Sequence, residues 1–194
     1  MVLGERTAGS TLRGERVTLR PLVVGDFAQW QAVRVANRDW LAKWEPTQLH
    51  AAVDGIETRS GFLARCRARE RERQLGTGYG YGIFLGRRFS GEINLSGVQR
   101  GPFQSGSVGY WIDEAVAGQG LVPEAMTLLL RYAFEDLCLH RVQVAIIPRN
   151  TASRRVVEKL GLREEGLAVG YLEINGVWED HLRFAITAQE WEDR

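Results

Sequence analysis

One stretch near the middle of the chain restricts the fold more than any other: an alternating strand, a glycine turn and an apolar helix. Val108–Asp113 is predicted as the strand, and Ala117–Val122, with Gly118 and Gly120, as the turn before a helix over 123–134. Glycine permits close approach of the backbone to a ligand, and a helix start offers unpaired N–H groups to an anion. The stretch therefore predicts either an anion-binding turn or a plain connection. It has neither the Gly-Lys-Ser/Thr of a nucleoside-triphosphate loop nor the third glycine of a dinucleotide fingerprint.

A second informative element follows the next apolar strand. Val142–Ile147 is predicted as a strand buried on both of its faces. Asn150 can cap the helix that comes after it. Ser153 falls in the first turn of that helix, where its hydroxyl either caps the helix or points into a cleft. Gly161 is placed to end the helix.

The remaining pattern sets the fold class. Strands are predicted over 16–20, 79–85, 92–95, 107–112, 142–147, 171–174 and 182–186, and helices over 27–35, 55–75, 123–134 and 150–160. Asp26 is expected to cap the first helix, and Asn175-Gly176 is a strong hairpin-turn signal. This order predicts an α+β fold with a mixed, mostly antiparallel sheet and helices on both of its faces. A single domain over 1–194, with 1–11 as a loose lead-in, accounts for the whole sequence.

Composition argues against several classes of protein. The formal net charge is only +1, so no strong overall field favours nucleic acid, and direct nucleic-acid binding is not expected. No run approaches about 18 apolar residues, and the N-terminus lacks the apolar core of a secretion signal, so we expect no membrane span and a cytoplasmic location. Cys66 and Cys138 lie far apart and the chain has three histidines, so neither a disulfide framework nor a metal site is expected.

Arginine alternates with other residues along the helix over 55–75. Arg65, Arg67, Arg69, Arg71 and Arg73 are interleaved with two glutamates. A solvated helix face explains such a run most simply, and an acidic or nucleic-acid partner is the less favoured alternative.

Several motifs, in this order, resemble one family. They are Asn37-Arg-x-x-Leu-x-x-Trp-Glu-Pro46, Gly91-x-Ile-Asn-Leu-Ser96, Gly109-Tyr-Trp-Ile-Asp113, Gly118-Gln-Gly120, His140-Arg141, Asn150-x-x-Ser153 and Gly170-Tyr-Leu-x-Ile-x-Gly-x-Trp-x-Asp-His181. The chain resembles the GCN5-related N-acetyltransferase (GNAT) superfamily, and within it the RimJ/RimL-type ribosomal-protein alanine N-acetyltransferases. The resemblance implies a GNAT-like mixed sheet and an acyltransferase that uses acetyl-CoA as co-substrate.

The resemblance also implies positions for the cofactor. Its pyrophosphate would lie over the turn and its pantetheine arm along the strand before it. The implied cofactor-binding residues are Trp111, Ile112, Ala117, Gly118, Gln119, Gly120, Leu121, Val122, Asn150 and Ser153. Many relatives carry a tyrosine acid at the place of Val157, so the resemblance implies that Ser153, or a water molecule, protonates the leaving thiolate here. Ala117 and Val122 depart from the family loop, so a side-chain contact from position 117 is missing while the backbone contacts remain.

The reaction needs a neutral amine and a proton acceptor. A protein α-amino group has a pKa of about 7.7–8.0 and a lysine amine one of about 10.4, so an N-terminal substrate needs only a modest base. Glu92 and Glu173 are the two candidates for that base. The acceptor is expected to contact Trp40, Trp44, Asn94 and Tyr171. For each of these side chains a purely structural role is the alternative.

Three functions remain open on the sequence. The first is acetylation of a protein N-terminus by direct attack on the thioester, with an alanine of a ribosomal protein as the acceptor that the resemblance implies. The second is acetylation of a small amine such as a polyamine, an amino acid or an antibiotic. The third is a degenerate fold that only senses or binds acyl-CoA. A monomer and a homodimer are equally compatible with the sequence.

Overall fold

The computed structural model describes residues 11–45 and 58–193, and an eight-stranded sheet organises them. The strands are β1 Leu12–Arg13, β2 Val17–Arg20, β3 Tyr79–Leu85, β4 Arg88–Gln99, β5 Ser105–Ile112, β6 Arg141–Ile146, β7 Arg163–Ile174 and β8 Val177–Thr187. Their spatial order is β1-β2-β3-β4-β5-β6-β8-β7, and only β5 and β6 are parallel. The predicted α+β class and mostly antiparallel sheet are confirmed.

Helices cover both faces of this sheet, as predicted. They are α1 Phe27–Ala36, α2 Arg38–Ala42, α3 Arg59–Leu75, α4 Leu121–Arg131, α5 Thr151–Lys159 and α6 Ala188–Glu192. Helix α4 runs on into a π-helical turn over Tyr132–Asp136. In the part of the chain that the structure describes, no helix is long and apolar enough to cross a bilayer.

Two apolar clusters lie on opposite faces of the sheet. The larger one packs α4 and α5 against the sheet and contains Leu129 of α4, Val157 of α5 and Ile93 of β4. The smaller one is aromatic and packs α1 and α3 on the opposite face through Trp30 and Phe62. The centres of these two rings lie 4.9 Å apart. Burial of such large aromatic side chains holds α1 and α3 in place beside the site described below.

Three sequence expectations about the strands need correction. Strand β6 is not buried on both faces: Val142, Val144 and Ile146 are buried while the residues between them are partly exposed. The reason is that Gln143 faces a polar layer, where it donates a hydrogen bond to Ser107 Oγ at 3.0 Å. Strands β4, β7 and β8 are longer than predicted, because their additional residues are largely polar or exposed and lack an apolar signal. Strand β1, Leu12–Arg13, has no counterpart among the predicted strands.

The expected cap at the start of α1 is also wrong. The Asp26 side chain makes no capping bond to α1. Its carboxylate instead accepts hydrogen bonds from the Arg20 guanidinium at 2.6 and 2.8 Å and from Val23 N at 2.9 Å. The fold brings the end of β2 to this carboxylate, so an ion pair takes the lone pairs that a cap would have used. The helix predicted over 55–75 begins at Arg59, and residues 55–57 lie outside the described residues.

Candidate active site

The sheet opens between its two parallel strands. Strands β5 and β6 pair only through Ser105–Ser107 with Arg141–Gln143. Strand β5 continues to Ile112 and remains paired with β4 up to that residue. Within the described residues no strand pairs with the other edge of β5 beyond Ser107. Backbone N–H and C=O groups on that edge are therefore available to an extended ligand that lies beside β5 as an additional strand would.

The glycine turn lies just beyond the open edge. Gly118 has φ +76° and Gly120 has φ +79°, which are conformations that glycine adopts without strain. Helix α4 starts at Leu121 with Gly120 as its N-cap. Among the described residues, the two chain neighbours aside, no heavy atom lies within 4 Å of the position a Cβ would take on Gly118, so the turn is open to a ligand. The unpaired N–H groups of the first helical turn suit a phosphate.

A second contact fixes the turn from the start of β2. The Arg16 guanidinium donates to Gln119 O at 2.9 Å and to Glu124 Oε2 at 3.1 Å. Glu124 Oε1 accepts the N–H groups of Arg16 and Val17 at 2.8 and 3.0 Å. Burial alone would raise the pKa of Glu124, but these bonds outweigh it and hold the pKa below its usual value.

Asn150 and Ser153 stand at the end of β6, across the opening from β5. Asn150 caps α5 as predicted, because its Oδ1 accepts the Ser153 N–H at 3.1 Å. Tyr110 of β5 donates its hydroxyl to Ser153 O at 3.2 Å and so joins the two sides. Burial raises the pKa of Tyr110 to about 12, so the hydroxyl keeps its proton at neutral pH and remains a donor. Ser153 is therefore positioned by two hydrogen bonds to its backbone.

A buried polar network joins the end of β5 to the start of α2. The Asp113 carboxylate accepts from Asn37 Nδ2 at 2.9 Å, Arg88 Nη2 at 2.7 Å and Ala115 N at 3.2 Å. Asn37 Oδ1 in turn accepts from Glu114 N at 2.8 Å. Burial alone would raise the pKa of Asp113, and the three donors together hold it below its usual value. This network holds the helix that carries Trp40 against the strand that ends at the site.

A cleft of about 350 Å³ adjoins Asn150. It is lined by Ile147, Pro148, Arg149, Trp178, Glu179 and Asp180. The Arg149 guanidinium donates to Glu179 at 2.6 Å and lies 5.6 Å from the centre of the Trp44 ring. The cleft thus carries two carboxylates against one arginine, and Trp44 stands beside it. This lining suits a cationic amine.

The two predicted bases occupy different surroundings. Glu92 is 2% exposed, and its carboxylate accepts from Trp30 Nε1 at 2.8 Å and from the Arg65 guanidinium. Glu92 lies opposite Trp111 across the β4–β5 pair, one strand away from the open edge. Glu173 is half-buried on β7, opposite Trp178 of the last hairpin. Both roles remain predictions.

The predicted acceptor residues do not all converge. Trp40 and Trp44 flank Lys43, whose ammonium lies 4.8 and 5.6 Å from their ring centres. The Tyr171 ring packs on His181 at 5.4 Å and beneath Arg183 at 4.8 Å. Asn94 instead points into a separate cavity beneath α3. The structure thus places the tryptophans and Tyr171 on elements near the cleft and Asn94 away from it.

Three contacts around the site are not predictable from the sequence: the bond from the Tyr110 hydroxyl to Ser153 O, the Arg16–Glu124 pair and the Asn37–Asp113 network. Tyr110 and Asp113 belong to the Gly109-Tyr-Trp-Ile-Asp113 motif, and Asn37 opens another. Membership of a motif is therefore the sequence signal that could have pointed to these three residues. The Arg16–Glu124 contact joins residues 108 positions apart and has no local signal.

Comparison with known proteins agrees with this geometry. A family model described as an acetyltransferase (GNAT) domain matches residues 16–163. The probable N-acetyltransferase YjcK of Bacillus subtilis is 35% identical over 177 residues, which are 90% of this chain and 96% of the relative. The ribosomal protein uS5-alanine N-acetyltransferase of Escherichia coli is 33% identical over 183 residues, 91% of this chain and 92% of the relative. Mycobacterium smegmatis RimJ, solved in complex with CoA-disulfide, superposes with a TM-score of 0.87 at 33% identity, covering 94% of this chain and 88% of that one.

Proposed function

This chain belongs to the GNAT family of acetyltransferases, and we propose that it acetylates the α-amino group of a protein N-terminus. As a member of that family it is an acyltransferase, and acetyl-CoA is its acyl donor. The named activity of the Escherichia coli relative supports an alanine of a ribosomal protein as the first acceptor to test.

The opening between β5 and β6 carries the proposal. It exposes a strand edge that ends at a glycine turn on one side and faces Asn150 and Ser153 on the other. An extended pantetheine arm can pair with that edge, and a pyrophosphate can accept hydrogen bonds from the N–H groups over 117–122. The residues proposed to hold the cofactor are Trp111, Ile112, Ala117, Gly118, Gln119, Gly120, Leu121, Val122, Asn150 and Ser153. Acetyl-CoA would supply a thioester whose carbonyl carbon accepts an amine.

The amine is proposed to enter through the cleft beside Asn150. Glu179 and Asp180 attract the ammonium form, and Trp44 borders the approach. An α-amino group with a pKa of about 7.7–8.0 gives up its proton readily near neutral pH, whereas a lysine amine does not. The neutral nitrogen attacks the carbonyl carbon, a C–N bond forms and the C–S bond breaks. Ser153 donates its hydroxyl proton to the leaving sulfur, and the proton that nitrogen loses to the base returns to Ser153, so that the amide, the CoA thiol and a neutral serine result.

Two carboxylates remain proposed as the base. Glu92 is buried one strand from the open edge and is already bound by Trp30 and Arg65. Glu173 belongs to the hairpin that borders the cleft. Replacement of each by Gln separates them, because only the true base should lower kcat and shift the acidic limb of the pH–rate profile.

A peptide pair tests the acceptor. One peptide starts with a free alanine and contains an internal lysine, and the other is the same peptide with its N-terminus already acetylated. We expect mass spectrometry to find one added acetyl group on the first peptide and none on the second. Modification of the second peptide, or faster turnover of spermidine than of the first, would refute the proposal in favour of a lysine or small-amine acetyltransferase.

The proposed acid is tested separately. Ser153→Ala should lower kcat about 10²-fold or more while the Kd for acetyl-CoA stays within about threefold. Thr151→Ala, an exposed position two residues earlier in the same helix, is the matched control and should leave both values unchanged. An equal loss of kcat and affinity in Ser153→Ala would make Ser153 a cofactor contact only.

A further inference from the structure

A cavity of about 340 Å³ lies beneath α3, on the face of the sheet that carries α1. Pro21–Val24 forms one wall, the side of α3 from Leu63 to Arg73 forms another, and Gly80, Glu92 and Asn94 of the sheet form the floor. Asn94 pairs with Gly80 of β3 on one side and with Gly109 of β5 on the other. Gly80 is therefore two strands, about 10 Å, from β5. The cavity is distinct from the opening between β5 and β6.

The cavity exists because β2 stops early. Pairing between β2 and β3 ends at Arg20 and Gly82, just before Pro21, which lacks a backbone N–H. The edge of β3 at Gly80 is covered instead by Arg73, whose Nη2 donates to Gly80 O at 2.8 Å. Arg73 Nη1 also donates to the Tyr81 hydroxyl at 3.2 Å. An arginine side chain thus takes the place of a strand partner.

Two buried polar atoms in this lining have no partner. Arg73 is only 3% exposed, yet its Nε–H has no hydrogen-bond acceptor among the described residues. The Oδ1 atom of Asn94 is also buried and receives no donor from the described residues. Both side chains lie beside Gly80: Arg73 Nη2 donates to Gly80 O at 2.8 Å, and a Cβ built on Gly80 would lie 2.8 Å from Asn94 Oδ1. An unpartnered donor and an unpartnered acceptor around one glycine are unusual, since buried polar groups normally find partners.

The rest of the lining defines the complementary ligand. Four arginines and two glutamates line the cavity. Glu92 is bound by Arg65 and Trp30, and Arg69 pairs with Glu72 at 2.8 Å, which leaves Arg67 and Arg73 against Glu70. The remaining charge is positive and favours an anion. Leu22, Val23, Leu63 and Cys66 offer an apolar wall. The ligand should therefore combine a carboxylate, a neighbouring hydrogen-bond donor and a short aliphatic group.

We propose that this cavity binds a small α-hydroxy or α-amino carboxylate with a short aliphatic side chain. The carboxylate accepts from Arg73 Nε–H, and the α-substituent donates to Asn94 Oδ1. The aliphatic group packs against Leu22 and Leu63. The cavity is separate from the acceptor cleft, so a metabolite bound there would leave that cleft empty, although its floor includes Glu92, one of the two proposed bases.

Calorimetric titration with four related compounds tests both contacts. 2-Hydroxy-4-methylpentanoate and leucine carry both groups, 4-methylpentanoate lacks the α-donor, and leucinol lacks the carboxylate. We expect at least one of the first two to bind, with each single deletion weakening affinity about tenfold, the value of one hydrogen bond to a charged or buried partner. Equal binding of 4-methylpentanoate, equal binding of leucinol, or no binding by any compound would overturn the proposal.

Three variants test whether the ligand binds in the cavity beneath α3. Gly80→Ala places a methyl group 2.8 Å from Asn94 Oδ1 and 3.1 Å from Arg69 Cδ, and should abolish binding by filling the floor. Asn94→Ala should weaken it about tenfold, and serves if Gly80→Ala does not fold. Arg71→Ala, an exposed arginine of the same helix outside the lining, is the matched control and should bind normally. All three variants should keep the wild-type affinity for CoA. Normal ligand binding in both Gly80→Ala and Asn94→Ala would overturn the assignment.

Discussion

Replacement of Gly120 by alanine tests the glycine turn most directly. Gly120 has φ +79°, and an L-residue held in that region loses about 1–2 kcal/mol relative to glycine. Space is not the obstacle, because the nearest atom to the new Cβ is Arg16 Nη2 at 3.4 Å, the end of a flexible side chain. Strain alone therefore sets the loss of stability. For a domain of this size, 1 kcal/mol corresponds to about 2–4 °C in Tm.

The same substitution should weaken the binding of CoA more than it lowers stability. A backbone that relaxes out of the left-handed region turns N–H groups at the start of α4 away from the pyrophosphate. Each hydrogen bond to a charged group is worth about 1.5–3 kcal/mol, which corresponds to about 10- to 100-fold in Kd for one lost bond. Thermal unfolding in the absence of ligand and calorimetric titration with CoA measure the two effects separately.

Gly97→Ala provides the matched control. Gly97 also has a positive φ, +59°, and open space around its Cβ position, but it lies on β4 away from the turn. It should lose a similar amount of stability and keep the wild-type affinity for CoA. If Gly120→Ala binds CoA as tightly as Gly97→Ala does, the turn is not the pyrophosphate site and the reasoning fails.

Three further outcomes are expected. Asp113→Asn should lower the free energy of unfolding by about 1–2 kcal/mol at pH 7, measured by urea titration. Because the folded pKa of Asp113 lies below its unfolded value of about 3.9, its contribution is complete above that value and is lost as the pH falls through the folded pKa, so wild type and variant should converge in acid. Trp30→Phe removes the donor to buried Glu92 Oε1 and should destabilise by about 1–3 kcal/mol, whereas Trp178→Phe on the exposed hairpin should not. Asn150→Ala removes the cap of α5 and should destabilise by about 1 kcal/mol, with faster amide exchange at Ser153; unchanged exchange there would contradict the cap.

Local chemistry made part of this molecule predictable. The positive φ angles of Gly118, Gly120 and Gly161 and the cap at Asn150 all follow from residue type and position next to a helix. The Asn175-Gly176 turn does too, since both residues have positive φ. Such signals need only a few neighbouring residues, so a single sequence carries them.

Contacts between residues far apart in the chain could not be predicted from the sequence. Nothing near Glu92 shows that Trp30 and Arg65 bind its carboxylate, because these residues are 62 and 27 positions away. Asp26 illustrates the same limit in reverse: its local pattern indicates a cap, but Arg20 at the end of β2 competes for the carboxylate and wins. The early end of pairing between β5 and β6 is likewise a property of the assembled sheet.

That early end divides the sheet into two halves, β1–β5 and β6–β8, joined by three residue pairs. A ligand that lies along the free edge of β5 and touches Asn150 would supply hydrogen bonds between the two halves where β5 and β6 no longer pair. Binding of this ligand should therefore raise the free energy of unfolding, by about 2.7 kcal/mol when the ligand is present at 100 times its Kd. The enzyme's resistance to proteolysis should then rise and fall with the supply of its acyl donor, which makes protein lifetime a reporter of CoA availability.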